Sequence, residues 1–344
     1  MEKIAPNINP YLIGHEEQIQ LFLRAYNAGT LHHGWLITGD EGIGKATLAY
    51  KIARFLLSAQ DGVKYDSLDI SPASPIFSQV AQKSHPDFKV LERDFTDTDK
   101  KKLIKAINQG DEVDTQSLKR SAVIKVDDVR EVVDFLSKKS FNDNWRVVIV
   151  DSADDLNPSS ANALLKILEE PPLKSILLLL SHNAGKLLPT IKSRCAKLAL
   201  ASLKDEEVAS LLRRYDTDLS EEEVKGLAQI AGGSIGRALK YDENNALQLY
   251  DNIKKVCYGG KKSDGVLMMD LVNEVAADED KWELFAELIC RFARDNFSGN
   301  DNPREFYLAY ESTLKILDDT IRINMDKKMA ALQILNEFIR VYGL

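Results

Sequence analysis

The stretch GDEGIGKATL, which begins at Gly39, has the residue types and spacing of a phosphate-binding turn. It fits the pattern G-x-x-x-x-G-K, in which glycines let successive backbone N–H groups surround phosphate oxygens while the lysine adds a positive charge. A helix that starts directly after the turn adds its dipole. Gly39, Gly42, Gly44 and Lys45 are therefore the candidate phosphate-binding residues. The alternative is a glycine-rich turn that binds nothing.

The residues expected to hold magnesium are incomplete. Such sites use a Ser or Thr directly after the lysine and an Asp at the end of a neighbouring apolar strand. Ala46 stands at the first position, and the hydroxyl of Thr47 is about 100° further round the helix. Asp151 fills the second position, at the end of VVIVD, but it is followed by Ser152, where many such ATPases carry a water-polarising Glu. The pattern predicts weak or absent hydrolysis and leaves nucleotide binding open.

The elements that must position these residues alternate between strands and helices as far as about residue 200. GWLIT, RVVIVD and SILLLLS are apolar runs typical of strands buried on both faces. KATLAYKIARFLL has Leu48, Ile52, Phe55 and Leu56 on one helical face, and NPSSANALLKILE is a helix capped by Asn157. This alternation predicts a parallel sheet with helices on both faces.

From Ser202 onward the strand patterns disappear and amphipathic helices follow one another. Ser220 and Glu223 have the spacing of a capping box. Leu314, Leu317 and Ile321 recur at helical spacing, which predicts packing in a core and against neighbouring subunits. We expect three domains, at residues 1–201, 202–242 and 243–344.

Residues 95–120 form a mixed-charge run that interrupts the sheet pattern. Lysines and acidic residues are interleaved in it, which favours an exposed insertion. A cluster of lysines that contacts DNA is the alternative.

The bulk composition, 44% hydrophobic and 28% charged, is typical of a folded, soluble protein, and the net charge of −8 opposes nonspecific DNA binding. Three widely separated cysteines fit reduced thiols better than disulfides. No apolar run approaches the roughly 20 residues that span a bilayer, and the N-terminus lacks a secretory pattern. We expect a cytoplasmic protein without a membrane segment.

Several motifs taken together resemble the AAA+ subunits of bacterial clamp loaders. They are NALLKILEEPP, LPTIKSRC, the phosphate-binding turn, LIGHEE near the N-terminus and GGSIGRAL, which together run from Leu12 to Leu239. The resemblance implies an α/β P-loop AAA+ domain followed by an α-helical lid and an α-helical collar domain. It also implies work on the sliding clamp and primed DNA within a hetero-oligomer of the DNA polymerase III holoenzyme, with no polymerase chemistry in this chain.

The resemblance also gives roles to three polar residues. Arg194, in SRC, matches the arginine that reaches the ATP of a neighbouring subunit, where a guanidinium neutralises charge on the transferred phosphoryl group. Arg237 matches the lid arginine that reaches a nucleotide in cis, and Ser181 matches a polar sensor at a strand end. The alternatives are a structural ion pair for Arg194, a lid-to-core contact for Arg237 and a simple strand terminus for Ser181.

The departures from the family indicate which type of subunit this is. Ser71, Ser74 and Phe77 lie where zinc-binding cysteines precede a His-Pro-Asp turn at His85, so no zinc or other metal is expected. Loss of the hydroxyl and the Glu resembles the delta-prime type, whose own site is commonly degenerate. The implied partners are gamma/tau-like motor subunits and delta-like subunits, and ATP or ADP is the nucleotide that the turn could bind. The rivals are an active AAA+ motor ATPase and, less compatible with SRC, a nucleotide kinase.

Overall fold

The chain contains two compact units, Met1–Leu203 and Lys204–Leu344. The structure, a computed structural model, describes residues 5–109, 118–138, 140, 144–215, 218–262, 264–297 and 303–343. The domain boundaries expected at residues 201 and 242 stay predictions.

A five-stranded parallel sheet forms the centre of the first unit, with the strands in the order β2-β3-β4-β1-β5. The strands are β1 (Gly34–Thr38), β2 (Phe88–Glu92), β3 (Arg146–Asp151), β4 (Ser175–Ser181) and β5 (Ala196–Ala199). The three predicted strands are confirmed as β1, β3 and β4, which occupy the interior of the sheet. The two edge strands, β2 and β5, were not predicted, because solvent at a sheet edge permits charged residues such as Lys89 and Lys197 that break an apolar run.

Helices precede, connect and follow these strands. Those of the first unit are α1 (Glu16–Asn27), α2 (Lys45–Ser58), α3 (Pro75–Ala81), α4 (Asp97–Gln109), α5 (Val126–Ser137), α6 (Pro158–Glu169) and α7 (Pro189–Ser193). Those of the second unit are α8 (Asp205–Tyr215), α9 (Glu221–Ala231), α10 (Ile235–Glu243), α11 (Ala246–Tyr258), α12 (Gly265–Val275), α13 (Glu279–Phe297), α14 (Pro303–Arg322) and α15 (Lys327–Tyr342). The predicted class, an α/β sheet domain followed by helices, is confirmed.

Alternate residues of the central strands face two different hydrophobic cores. Ile37 and Leu178 belong to the core that packs against α1 and α2. Leu36 and Leu179 belong to the core on the other face, which packs against α5, α6 and α7. Both faces of the sheet are therefore covered, which explains why the central strands are apolar throughout.

The two helices predicted in detail begin and end as expected. In α2, Leu48, Ile52, Phe55 and Leu56 are all buried. In α6, the side chain of Asn157 accepts a hydrogen bond from the backbone N–H of Ser160 as an N-cap, with proline at the first helical position. The helix ends at Glu169, just before two prolines that cannot continue it.

The charged insertion contains a helix, α4, which begins with Asp97 and Asp99 in its first turn. Three lysines pair with acidic residues of the same chain, in the pairs Lys100 with Asp94, Lys102 with Asp99, and Lys125 with Asp97. Residues 110–117 of the predicted insertion lie outside the described residues. The pairing favours a self-neutralised insertion over a free lysine cluster.

At one of the positions where the resemblance implies a cysteine, an aromatic ring packs against a buried arginine. Phe77, at one expected cysteine position, is buried in α3, and its ring lies 3.9 Å below the guanidinium of Arg54. Arg54 is buried in α2 and donates hydrogen bonds to the carbonyl oxygens of Asn7 and Asn9. Arg54 therefore links the N-terminal segment, α2 and α3.

Replacing Arg54 with methionine should destabilise the chain by about 2 kcal/mol, because two carbonyl groups lose a charged donor and Phe77 loses its cation–π partner. The measurement is the urea midpoint of the full chain. Arg24→Met is the matched control, because Arg24 is exposed at the end of α1. Equal midpoints for the two variants would contradict the linking role.

The second unit contains only helices among its described residues. The capping box is confirmed, since Ser220 and Glu223 bond each other's backbone N–H groups at the start of α9. The stripe predicted on α14 is less buried than expected, with Leu314 44% exposed and Ile321 83% exposed. Phe306, Ala309 and Thr313 are the positions of α14 that are buried instead.

Candidate functional site

The phosphate-binding turn joins β1 to α2 and has glycines with positive φ at three positions. At Gly39, where φ is 143°, a Cβ atom would lie 2.5 Å from the carbonyl oxygen of Leu200 and 2.6 Å from the side chain of Ile43. Gly44, the N-cap of α2, has a φ of 106°, and Gly42 has a φ of 75°. Such backbone conformations are open to glycine and strained for other residues.

Lys45 is directed toward the turn itself. Its buried ammonium group donates to the carbonyl oxygens of Gly39 at 2.7 Å and Asp40 at 2.6 Å. Burial lowers the pKa of Lys45, and the nearby charges of Glu41 and Asp151 oppose that shift. Since an ammonium group has three N–H donors, one donor remains for a further acceptor such as a phosphate oxygen.

Ala46 and Thr47 occupy the first turn of α2. The methyl group of Ala46 is half-buried and packs against the hydrophobic core that includes Leu48. The position that would supply a hydroxyl to magnesium therefore contributes to packing. Whether Thr47 contacts a nucleotide stays a prediction.

Asp151 lies at the end of β3, in register with Glu92 at the end of β2. Burial raises the pKa of Asp151, the negative charge of Glu92 raises it further, and His182 and Lys45 oppose the shift. An acid whose ionisation is disfavoured is a weaker metal ligand than a free carboxylate.

Two serine hydroxyl groups bond to Asp154, which follows β3. Its carboxylate accepts hydrogen bonds from Ser152 at 2.9 Å and from Ser181 at 2.8 Å. It also accepts from the backbone N–H groups of His182 at 2.7 Å and Asn183 at 3.3 Å. This arrangement, the Asp154 cluster, ties the end of β3 to the end of β4.

The charge state of Asp154 follows from these contacts. Burial alone would raise the pKa of Asp154, but the hydrogen bonds from the backbone of His182 and from the hydroxyls of Ser181 and Ser152 outweigh it and lower the pKa. Asp154 is therefore an ionised carboxylate whose oxygens are already bonded. It is poorly placed to accept a proton from water.

Arg194 follows α7, and its side chain is partly exposed. One terminal nitrogen lies 2.9 Å from a carboxylate oxygen of Glu169, and the other donates to the carbonyl oxygen of Thr190 at 3.1 Å. The ion pair that was the alternative interpretation of Arg194 is therefore present in the structure. An exposed pair of this kind contributes little stability, about 0–1 kcal/mol, and does not exclude a second role.

Arg237 belongs to the second unit, in α10. Its guanidinium donates to the carbonyl oxygen of Ala231 at 3.0 Å, and its backbone N–H bonds the hydroxyl of Ser234. Its proposed contact with a nucleotide stays a prediction.

The structure thus brings most of the predicted site residues to one end of the sheet. The turn follows β1, Ser181 pairs in register with Thr38 directly before the turn, and Asp151 ends the strand beside β4. Glu92 and Glu169 belong to no motif in the sequence, and no spacing rule connects either residue with its partner. Among the described residues no group of three or more His, Cys, Asp or Glu side chains is arranged to hold a metal ion.

A glycine-rich turn with its lysine, placed between the first strand of a parallel sheet and the following helix, defines an α/β protein of the P-loop class. Residues 14–204, more than half of the chain, match the family described as DNA polymerase III, delta subunit, and the chain belongs to that family. The described part of the chain includes no helix with the length and apolar character needed to cross a membrane.

Three relatives illustrate the similarity of this chain to subunits of DNA polymerase III. The gamma subunit of DNA polymerase III from Buchnera aphidicola subsp. Acyrthosiphon pisum is 26% identical over 303 residues, covering 82% of this chain and 75% of the relative. The delta' subunit from Pseudomonas aeruginosa is 32% identical over 202 residues, covering 59% and 53%. The delta' subunit from Escherichia coli is 28% identical over 256 residues, covering 74% and 67%.

Proposed function

We propose that this chain is a delta-prime-like subunit of a clamp loader and that it hydrolyses little or no ATP at its own turn. The observation that carries the proposal is the Asp154 cluster, in which Asp154, just after β3, and Ser181, at the end of β4, are bonded to each other and so are not free to act on water or phosphate. Ala46 supports the same conclusion. Its methyl group packs against the core, and it offers no hydroxyl to magnesium at the position directly after Lys45.

The turn keeps its glycines for a structural reason, in this proposal. Leu200, which follows β5, packs so closely against Gly39 that any side chain there would displace it. ATP or ADP, if bound, would be held by backbone N–H groups of the turn and by the remaining donor of Lys45. Such binding needs no hydrolysis to be useful, because a bound nucleotide stabilises the folded unit.

Arg194 would act in trans, on the ATP of a neighbouring motor subunit. Its partial exposure and its place after α7 support this role, because a guanidinium held at the surface can reach a phosphate of another chain. A working nucleotide site in cis is not required for it.

The expected partners are gamma/tau-like motor subunits and delta-like subunits, with the sliding clamp and primed DNA engaged through the assembly. Support comes from relatives named as gamma and delta' subunits of DNA polymerase III. Residues 243–344 would be the collar, and the exposed apolar side chains Leu314 and Ile321 would contact another subunit there. Residues 202–242 would be the lid.

The second candidate is an active motor ATPase, in which Thr47 or Asp154 compensates for the missing groups. The observation in its favour is the gamma subunit match, which spans 82% of this chain. The hydrogen bonds of Asp154 argue against that compensation.

The purified chain should show no ATP turnover above that of Lys45→Met, measured with magnesium as phosphate release. Methionine is similar in length to the apolar stem of lysine, so this substitution should preserve the packing at the buried position while removing the charge. Turnover in the original chain that is absent from the folded control would establish the motor and overturn the proposal. Equal, negligible rates would support the non-hydrolysing subunit, whether or not ATP binds at equilibrium.

A further inference from the structure

Glu169 and Arg194 come from separate segments and meet at the protein surface. Glu169 is the last residue of α6, and Arg194 follows the last residue of α7. Their closest nitrogen and oxygen atoms are 2.9 Å apart, with side-chain exposures of 35% for Arg194 and 50% for Glu169. The contact is a partly exposed ion pair.

The backbones that carry the two side chains are fixed by close packing at the start of β1. A Cβ atom on Gly34 would lie 2.8 Å from the side chain of Leu168 and 3.4 Å from the carbonyl oxygen of Arg194. The ring of His33 also bonds the carbonyl oxygen of Leu168 at 2.9 Å. The ends of α6 and α7 are therefore both packed against one strand, so that the spacing between Glu169 and Arg194 is set by rigid elements.

The ion pair with Glu169 leaves part of the guanidinium free to act. A guanidinium has five N–H donors, of which one bonds the carbonyl oxygen of Thr190, while one terminal nitrogen forms the ion pair with Glu169. The remaining donors and the exposed surface are sufficient for a phosphate oxygen. Glu169 and Thr190 thus restrict the side chain at one end without using its whole hydrogen-bonding capacity.

We propose that Glu169 is a positioning residue for Arg194, and that it holds the guanidinium in the orientation in which it meets the nucleotide of a neighbouring motor subunit. The proposal rests on the proposed function, because it needs Arg194 to act in trans. Its physical basis is preorganisation: a long, flexible side chain that is already ordered loses less conformational entropy when it binds a phosphate.

The test uses the full assembly with its motor subunits, the sliding clamp and primed DNA. Glu169→Ala should lower the stimulated ATP turnover at the affected site by about two- to fivefold, which is the range expected for an exposed ion pair. Glu169→Gln, which retains an oxygen acceptor without the charge, should give an intermediate rate. The matched control is Glu170→Ala, because Glu170 is the exposed neighbouring residue and has the same side chain.

Each variant is also made together with Arg194→Ala. If Glu169 acts through Arg194, Glu169→Ala should cause no further loss in that background, although it lowers turnover in the original chain. An unchanged or raised rate for Glu169→Ala, or an equal loss in both backgrounds, would overturn the positioning role even if Arg194 itself proves essential. No effect of Arg194→Ala would instead show that the proposed trans role has failed. Assembly measured by size-exclusion chromatography must be intact for each comparison.

Discussion

Assemblies that carry Arg194→Ala should lose fast hydrolysis at the one motor site that faces this subunit. The guanidinium is expected to neutralise charge on the transferred phosphoryl group, a contribution of about 10³-fold or more to the rate at a site of this kind. In a single-turnover experiment the amplitude of the fast phase should fall by the fraction that this one motor site contributes to it. The rate constant of the remaining fast phase should not change.

Arg194→Lys should fail almost as completely as alanine, although it keeps the positive charge. Lysine presents a point charge and lacks the planar fork that contacts two phosphate oxygens together. The matched control is Lys197→Ala, since Lys197 is an exposed cation on β5 three residues further along. It should leave the fast-phase amplitude unchanged.

The fold itself should tolerate both changes at Arg194, because the pair with Glu169 is exposed and contributes at most about 1 kcal/mol. An intact assembly with a full fast phase after removal of Arg194 would refute the trans role. A loss of turnover that accompanies dissociation of the subunit would show an interface residue instead.

The strands at the centre of the sheet could be predicted because burial on both faces requires an unbroken apolar run. The edge strands could not, since β2 and β5 carry charged residues that solvent accepts. The apolar stripe on α14 shows the opposite case, in which an apolar pattern is present but the residues are exposed. Leu314 and Ile321 have the periodicity of a buried face, yet periodicity does not distinguish a face covered within the chain from one available to another subunit.

The local part of the candidate site, the turn from Gly39 to Lys45, was predictable because its backbone requirements appear directly as glycines. The contacts of Asp154 and Arg194 were not predictable from spacing. Asp154 bonds Ser181, which lies one helix and one strand later, and Glu169 reaches Arg194 from a different helix. Such pairs depend on how helices and strands are placed relative to one another, and the spacing of residues in one sequence does not determine that placement.

Replacing Asp154 should destabilise the first unit more than any surface substitution considered above. Its side chain is 7% exposed, and Asp154→Ala would leave the buried hydroxyl of Ser181 and the N–H of His182 without their acceptor. We expect a loss of about 3 kcal/mol, since each unsatisfied buried group costs about 1–3 kcal/mol. Asp155→Ala is the matched control, because Asp155 is the adjacent carboxylate, less buried, and pairs with Arg93.

The measurement is urea unfolding followed by tryptophan fluorescence in a Trp282→Phe background. The chain has three tryptophans, so the signal then comes from Trp35 and Trp145 in the first unit. A midpoint for Asp154→Ala equal to that of the Asp155 control would refute the structural role of the cluster.

The pH dependence gives a second, independent test of the Asp154 cluster. Because the pKa of Asp154 is lower in the folded chain than its ordinary value, its carboxylate stabilises the fold above the unfolded pKa of about 3.9, and this contribution is lost as the pH falls through the folded pKa. The stability difference between the original chain and Asp154→Asn should therefore be constant from about pH 7 to pH 5 and shrink below about pH 4. The imidazole of His182 lies 4.0 Å from the carboxylate, so His182→Gln must be measured alongside. A difference that persists unchanged into strong acid would mean that the shape of the side chain, and not its charge, ties the end of β3 to β4.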